Sequence, residues 1–296
     1  MHNLLYRLLY TWAFLHALLP LRVLYILSDF FYLIVYKLAG YRLRVVRRNL
    51  KASFPDKNEA ALKQLERDFY HHFCDYFVET IKLLHMSESE MRQRACITNP
   101  ELAEALIDKG HTTFVTYFGH YGNWEWFSSA PLWFKDAAMY QIYRPLRNTI
   151  FDRLFIQMRG EFGSISLAKK NVVRKMVEMK REKERALVGF MADQTPSRVN
   201  IHYWNRFLNQ DTPIYSGPER IAHKLNLPVL YMDIKRIKRG HYESTLRLIC
   251  EYPQQSPEFE ITETYTRMME ETILRNPAYW LWTHKRWKHK REQADA

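Results

Sequence analysis

Cysteine is scarce in this sequence. There are three in 296 residues, Cys74, Cys96 and Cys250, odd in number and far apart. That excludes a disulfide framework and any zinc-binding spacing, and it points to a reducing compartment. Glycine is also sparse, at 9, while 47% of residues are apolar and 15% aromatic. A disordered or low-complexity chain is excluded by that balance. No G-x-S-x-G elbow and no H-E-x-x-H motif occurs, so neither a serine hydrolase nor a zincin is indicated. His284 and His289, five apart in a lysine-rich tail, make a poor metal cage. No helix-turn-helix, zinc-finger or RNP-like block appears, which removes the usual nucleic-acid readers although the net charge is +12.

A long uninterrupted apolar run is missing too. Residues 4–39 are far more apolar than the rest, but the longest uncharged stretch, Leu8 to Leu21, is 14 residues, and Arg22 and Asp29 interrupt the remainder of the region. A spanning helix needs about 20 predominantly apolar residues. An interfacial or re-entrant helix pair broken near Pro20 fits equally well. A cleaved signal peptide is disfavoured, because the region is too long and no small-residue cleavage site follows. Lys37, Arg42, Arg44, Arg47, Arg48 and Lys51 come next. Such a cluster stays cytoplasmic and is drawn to anionic headgroups. The expected organisation is a membrane-anchoring helical segment, 1–40, followed by one catalytic domain, 41–296.

Leu62, Leu65, Phe69, Phe73, Phe77, Ile81 and Leu84 recur at helical spacing, so Glu59 to Met86 reads as a helix, with His71, His72 and Asp75 expected on its solvated face. After Pro100 short β-rich runs alternate with helical stretches: TTFVTYF, AAMYQIY, ALVGFMA, LPVLYMDIKRI and STLRLIC. The last two, joined through Arg239-Gly240-His241, read as an antiparallel hairpin, and a final helix runs from about Ile261 to Arg275. Strand–helix alternation predicts an α/β fold.

The densest chemistry is Gly119-His120-Tyr121-Gly122-Asn123-Trp124-Glu125, where the strand TTFVTYF gives way to a helix from about Trp124. Ligands of open α/β sheets sit beyond strand carboxyl ends, and glycines permit a tight turn and close approach. His120 is the expected general base. Glu125, five residues on, is expected to accept the imidazole N–H and stabilise the imidazolium. The histidine then deprotonates a hydroxyl that attacks a thioester directly. A metal hydrolase using the same pair is the competing chemistry.

These residues resemble the late acyltransferases of lipid A biosynthesis, within the bacterial lysophospholipid acyltransferase-like group. The resemblance rests on the apolar start, the basic stretch Tyr41 to Pro55, GHYGNWE, YRPLRN (143–148), Arg159-Gly160, MADQTP (191–196), TPIYSGP (212–218), LPV (227–229) and WLWTHKRWK (280–288). It covers nearly the whole chain and takes the Glu form of the H-x4-D/E pattern. The implied fold is a mixed-sheet αβα sandwich of the glycerolipid-acyltransferase type. The implied donor is an acyl carrier protein carrying a fatty acyl thioester, and the acceptor a lipid A precursor or related anionic glycolipid, with lysophospholipid acyl transfer as the alternative. No cofactor or metal is implied. The implied place is the inner membrane, catalytic domain on the cytoplasmic face. A basic enzyme suits an acidic carrier and a phosphorylated lipid. Arg144, Arg147 and Arg159 are expected near the acceptor or the developing oxyanion. Asn123 is expected to face substrate, and Asp193 and Gln194, at another strand end, to bind substrate or brace the loop. The WLWTHKRWK segment suits either the membrane interface or a cap on the core.

Overall fold

The computed structural model describes residues 2–134 and 136–291. The apolar start forms α1 (His2–Ala17) and α2 (Leu21–Tyr32), the latter continuing into a π-helical turn, Leu33–Leu38. Pro20 stands immediately before α2 and cannot donate a helical hydrogen bond. The chain bends there by 113°, and no single described helix is long and apolar enough to cross a membrane. Of the two arrangements the sequence left open, the helix pair broken at Pro20 is the one present.

The basic stretch is α3 (Leu43–Ser53). The long periodic helix is α4 (Glu59–Lys82), started by the Asn58 side chain, which accepts from the Ala61 N–H. Then come α5 (Glu88–Arg94), β1 (Ala95–Ile97), α6 (Glu101–Asp108) and β2 (Thr113–Phe118). The expected helix after the His120 motif is a 3-10 segment, Trp126–Leu132, with Pro131 inside it. Beyond it lie β3 (Ala138–Tyr143), α7 (Thr149–Gly160), β4 (Ile165–Ala168), α8 (Val172–Glu182) and β5 (Ala186–Met191). The chain closes with β6 (Tyr203–Phe207), β7 (Gln210–Ile214), α9 (Gly217–Leu225), β8 (Val229–Lys238), β9 (His241–Cys250) and α10 (Glu260–Arg275).

Seven of the described strands form one mixed sheet, in the order β1-β9-β8-β2-β5-β3-β4. β8, β2, β5, β3 and β4 are mutually parallel, while β8 and β9 form the expected antiparallel hairpin. The carboxyl ends of five adjacent strands therefore share one edge. Every residue of β2 is buried, the pattern of a strand covered on both faces. The connections β3-α7-β4 and β4-α8-β5 step in opposite directions across the sheet. Right-handed crossovers then place α7 and α8 on opposite faces. α7 packs on α1, and α8 on α9.

α1 and α2 both lie against α4. Leu21, Leu24, Ser28 and Tyr32 of α2 turn inward. Leu4, Leu8, Trp12 and Leu15 of α1, with Ile26 and Phe30 of α2, remain exposed. Arg239, in the β8–β9 turn, ties the layer down: its Nη2 donates to Asp29 Oδ1 and to Asp75 Oδ1, each at 2.6 Å. Ser28 Oγ adds a hydrogen bond to Asp75 at 2.7 Å. This corrects the expectation of a solvated face on α4. His71 is exposed and stacks on Tyr32, but His72 and Asp75 are buried, because α2 covers one flank of α4 and the sheet the other. Trp280 and Trp282 are also buried, so the WLWTHKRWK segment caps the core.

Candidate active site

β2 ends at Phe118, and Gly119 carries the chain past Met269, whose side chain a Cβ there would strike. His120 follows at the shared carboxyl edge. Its backbone N–H donates to Asp193 Oδ2 at 2.9 Å, and its ring Nδ1–H donates to Asp193 Oδ1 at 2.7 Å. Trp280 Nε1 donates to Asp193 Oδ2 at 2.8 Å. Asp193 stands just beyond β5, the neighbour of β2, which is why the two loops meet. Burial alone would raise the Asp193 carboxyl; the nearby imidazole charge and these hydrogen bonds outweigh it and hold the group down at about 2. The carboxylate thus fixes the tautomer that leaves His120 Nε2 with a lone pair. The Gln194 side-chain amide donates to that nitrogen at 3.1 Å. The His120 side chain is 16% exposed, while that of Asp193 is 1% exposed, so the base reaches solvent and its carboxylate does not.

The loop after His120 is clamped from below. Gly122 takes φ +60°, donates to Tyr279 O at 2.9 Å and accepts from His72 Nε2 at 3.2 Å. Burial, with Arg236 nearby, pushes His72 down to about 3, so it is neutral. Asn123 Nδ2 donates to Glu79 Oε2 at 2.9 Å. Glu79 also accepts from Tyr25 and Tyr242, each at 2.8 Å, and burial raises its carboxyl. Asn123 is fully buried and bound to α4, so its expected contact with substrate is replaced by a role in holding the loop.

The expected contact between Glu125 and the imidazole is also corrected. Glu125 turns into the interior and receives Arg159 in bidentate fashion, Nε to Oε2 and Nη2 to Oε1, both at 2.7 Å. Trp124 Nε1 and the Tyr76 hydroxyl complete its shell at 3.2 and 3.4 Å. A carboxylate this buried needs a compensating cation, and the fork of Arg159 supplies it through two parallel hydrogen bonds. Although burial would raise the Glu125 carboxyl, Arg159 holds it below the usual range. Glu125 remains beside the dyad through Trp124, whose ring stands edge-on to His120 at 5.1 Å.

The profile of bacterial lipid A biosynthesis acyltransferases matches residues 4–289. The chain belongs to that family. A comparison with curated proteins gives no significant match. As a lipid A acyltransferase the protein is an enzyme that transfers acyl groups, with an acceptor of the lipid A precursor type.

Within this acyltransferase, Asp193 and Gln194 both meet His120, and Arg159 is held one shell away by Glu125. Arg144 and Arg147 lie exposed in the loop after β3, on the same sheet edge but not in contact with the dyad. Among the described residues no three His, Cys, Asp or Glu side chains converge into a metal-binding group. Three contributors escaped the sequence reading. Trp280 was visible only as part of an aromatic–basic block. Glu79 looks like any charged position of a helix, because nothing local reveals that α2 and β9 cover it. Arg286 sits in a lysine-rich tail, yet it is buried beside Asp193, and burial pulls it down to about 10 against the opposing charge of Asp193.

Proposed function

We propose that the protein transfers a fatty acyl group from an acyl carrier protein thioester to a hydroxyl of a lipid A precursor, with His120 as general base oriented by Asp193. The observation that carries this reading is the His120–Asp193 hydrogen bond at 2.7 Å with Nε2 left basic. The acceptor hydroxyl takes the place of the Gln194 amide on Nε2. Its oxygen attacks the thioester carbonyl carbon as its proton passes to Nε2. The tetrahedral intermediate then collapses, the C–S bond breaks, and the imidazolium returns the proton to the departing sulfur. Asp193 stabilises the imidazolium throughout. No enzyme nucleophile is needed. Glu125 acts at one remove, by neutralising and placing Arg159.

The exposed apolar faces of α1 and α2 and the basic α3 support attachment to an anionic membrane surface, with 1–40 as the attachment segment, 41–296 as the catalytic domain, and the cytoplasmic face of the inner membrane as its place. The bent pair supports an interfacial or re-entrant seat. The test is an assay of the purified protein with acyl carrier protein thioester and lipid A precursor. Release of carrier thiol only when acceptor is present supports transfer. Release at the same rate without acceptor contradicts it.

A further inference from the structure

We propose that the outer face of α8, with the two lysines that precede it, is the docking surface for the acidic carrier protein that delivers the acyl group. The inference rests on the donor assigned above. Three observations carry it. The first is charge and exposure. Lys169, Lys170 and Arg174 are exposed, and the ion pairs in this stretch are Lys175 with Glu178 and Glu184, and Arg181 with Glu182. Those three cations have no carboxylate within ion-pair distance among the described residues. Between them and Arg181, Val173 and Val177 are exposed at 50% and 45% one helical turn apart. An apolar pair inside a cationic rim matches an acidic helical partner.

The second observation is placement along the edge. Lys169 and Lys170 follow β4, and β4 lies three strand spacings from β2, which carries His120. At about 4.8 Å per spacing that is roughly 14 Å along the carboxyl edge. An extended pantetheine arm spans such a gap, passing over the loops after β3 and β5.

The third is sidedness. α7 shares its face of the sheet with α1, and α8 lies on the opposite face with α9. If α1 and α2 rest on the membrane, α8 is turned away from it. A soluble carrier and a membrane-held lipid then reach His120 from opposite faces of one sheet and do not compete for one surface. The segment 169–185 carries eight Lys or Arg against three Glu.

The experiment uses the full chain in anionic vesicles and compares Lys170→Glu, Arg174→Glu and Val177→Glu, with Arg174→Gln as the milder change. Melting temperatures close to wild type establish folding, as expected for exposed positions. The expected result is a rise of about tenfold or more in KM for the acyl carrier protein, with kcat and the KM for lipid acceptor unchanged. The rise should shrink as salt is added, and transfer from a small acyl-pantetheine thioester should match wild type. An unchanged carrier KM, or a rise confined to the lipid acceptor, overturns the docking surface while leaving the proposed reaction standing. A wild-type enzyme that transfers from acyl-pantetheine and coenzyme A thioesters but not from the carrier protein overturns the donor and the docking surface together.

Discussion

At His120 the two ring nitrogens have different neighbours, and that difference assigns their roles. Nδ1 meets a buried carboxylate at 2.7 Å and Nε2 meets a replaceable amide at 3.1 Å. His120→Ala should therefore lower kcat by about 10²–10⁴-fold with folding intact; measured melting temperature and kcat together check this. Glu125 belongs to a different kind of contact. Glu125→Gln leaves the largely buried Arg159 without its counter-charge, which costs about 3–5 kcal/mol. The variant should melt well below wild type, and the double change Glu125→Leu with Arg159→Met should recover most of that loss without recovering transfer. A Glu125→Gln protein as stable as wild type would show the pair to be dispensable for folding. The spacing from His120 to Glu125 was legible in the sequence, but not the direction in which Glu125 points. That depends on Arg159, 34 residues away, and on the reversal at Gly122. Asp193 was legible as a strand-end residue. Its pairing required knowing that β5 lies beside β2.

Among the elements, the periodic and apolar segments were the easiest to read: α4, α10, β2, β5 and the β8–β9 hairpin follow from spacing alone. The short ones were not. β1 has three residues and β4 four, too few for alternation to show, and β6–β7 hides within polar sequence containing a proline. The burial of α4 was hidden for another reason. His72, Asp75 and Glu79 look solvated until α2 is laid across them and Arg239, Arg236 and Tyr242 tie them to the β8–β9 hairpin. That joint shapes the test of membrane attachment. Removing residues 1–39 would strip Leu24, Ser28 and Tyr36 from the core, so outward changes are the cleaner probe. Leu4, Leu8 and Leu15 changed together to Ser should lower binding to anionic vesicles by well over tenfold, at roughly 0.8 kcal/mol per CH₂ no longer buried in lipid, with the melting temperature unchanged. Vesicle sedimentation checks this, and undiminished binding would place the contact elsewhere.

Across the whole molecule, two histidines, His72 buried and His284 partly buried, couple stability to pH. His72 and His284 are pushed down by burial to about 3 and about 4. The unfolded chain takes up protons at both below about 6.5, and the folded chain does not, so stability must fall as pH falls through that window. Between pH 7 and 5 the loss from the pair is about 3–4 kcal/mol. Glu79, raised by burial, works in the opposite direction, whereas Asp193 contributes only in stronger acid. Thermal unfolding at the two pH values should show the lower melting temperature at pH 5, and an equal or higher one would contradict neutral His72 and His284. The net charge of +12 and the apolar start were plain in the sequence. Which face of the sheet each helix covers was not, since that is fixed by crossover handedness and sheet order. The central claim is that Asp193, and no other carboxylate, works through His120. Its most direct test is the kcat of Asp193→Asn in acyl transfer from carrier thioester to lipid A precursor. The account predicts a fall of about 10²–10⁴-fold at nearly unchanged KM, because the lost charge acts on the imidazolium formed in the transition state. A rate within about tenfold of wild type, in a protein shown to be folded, would contradict it.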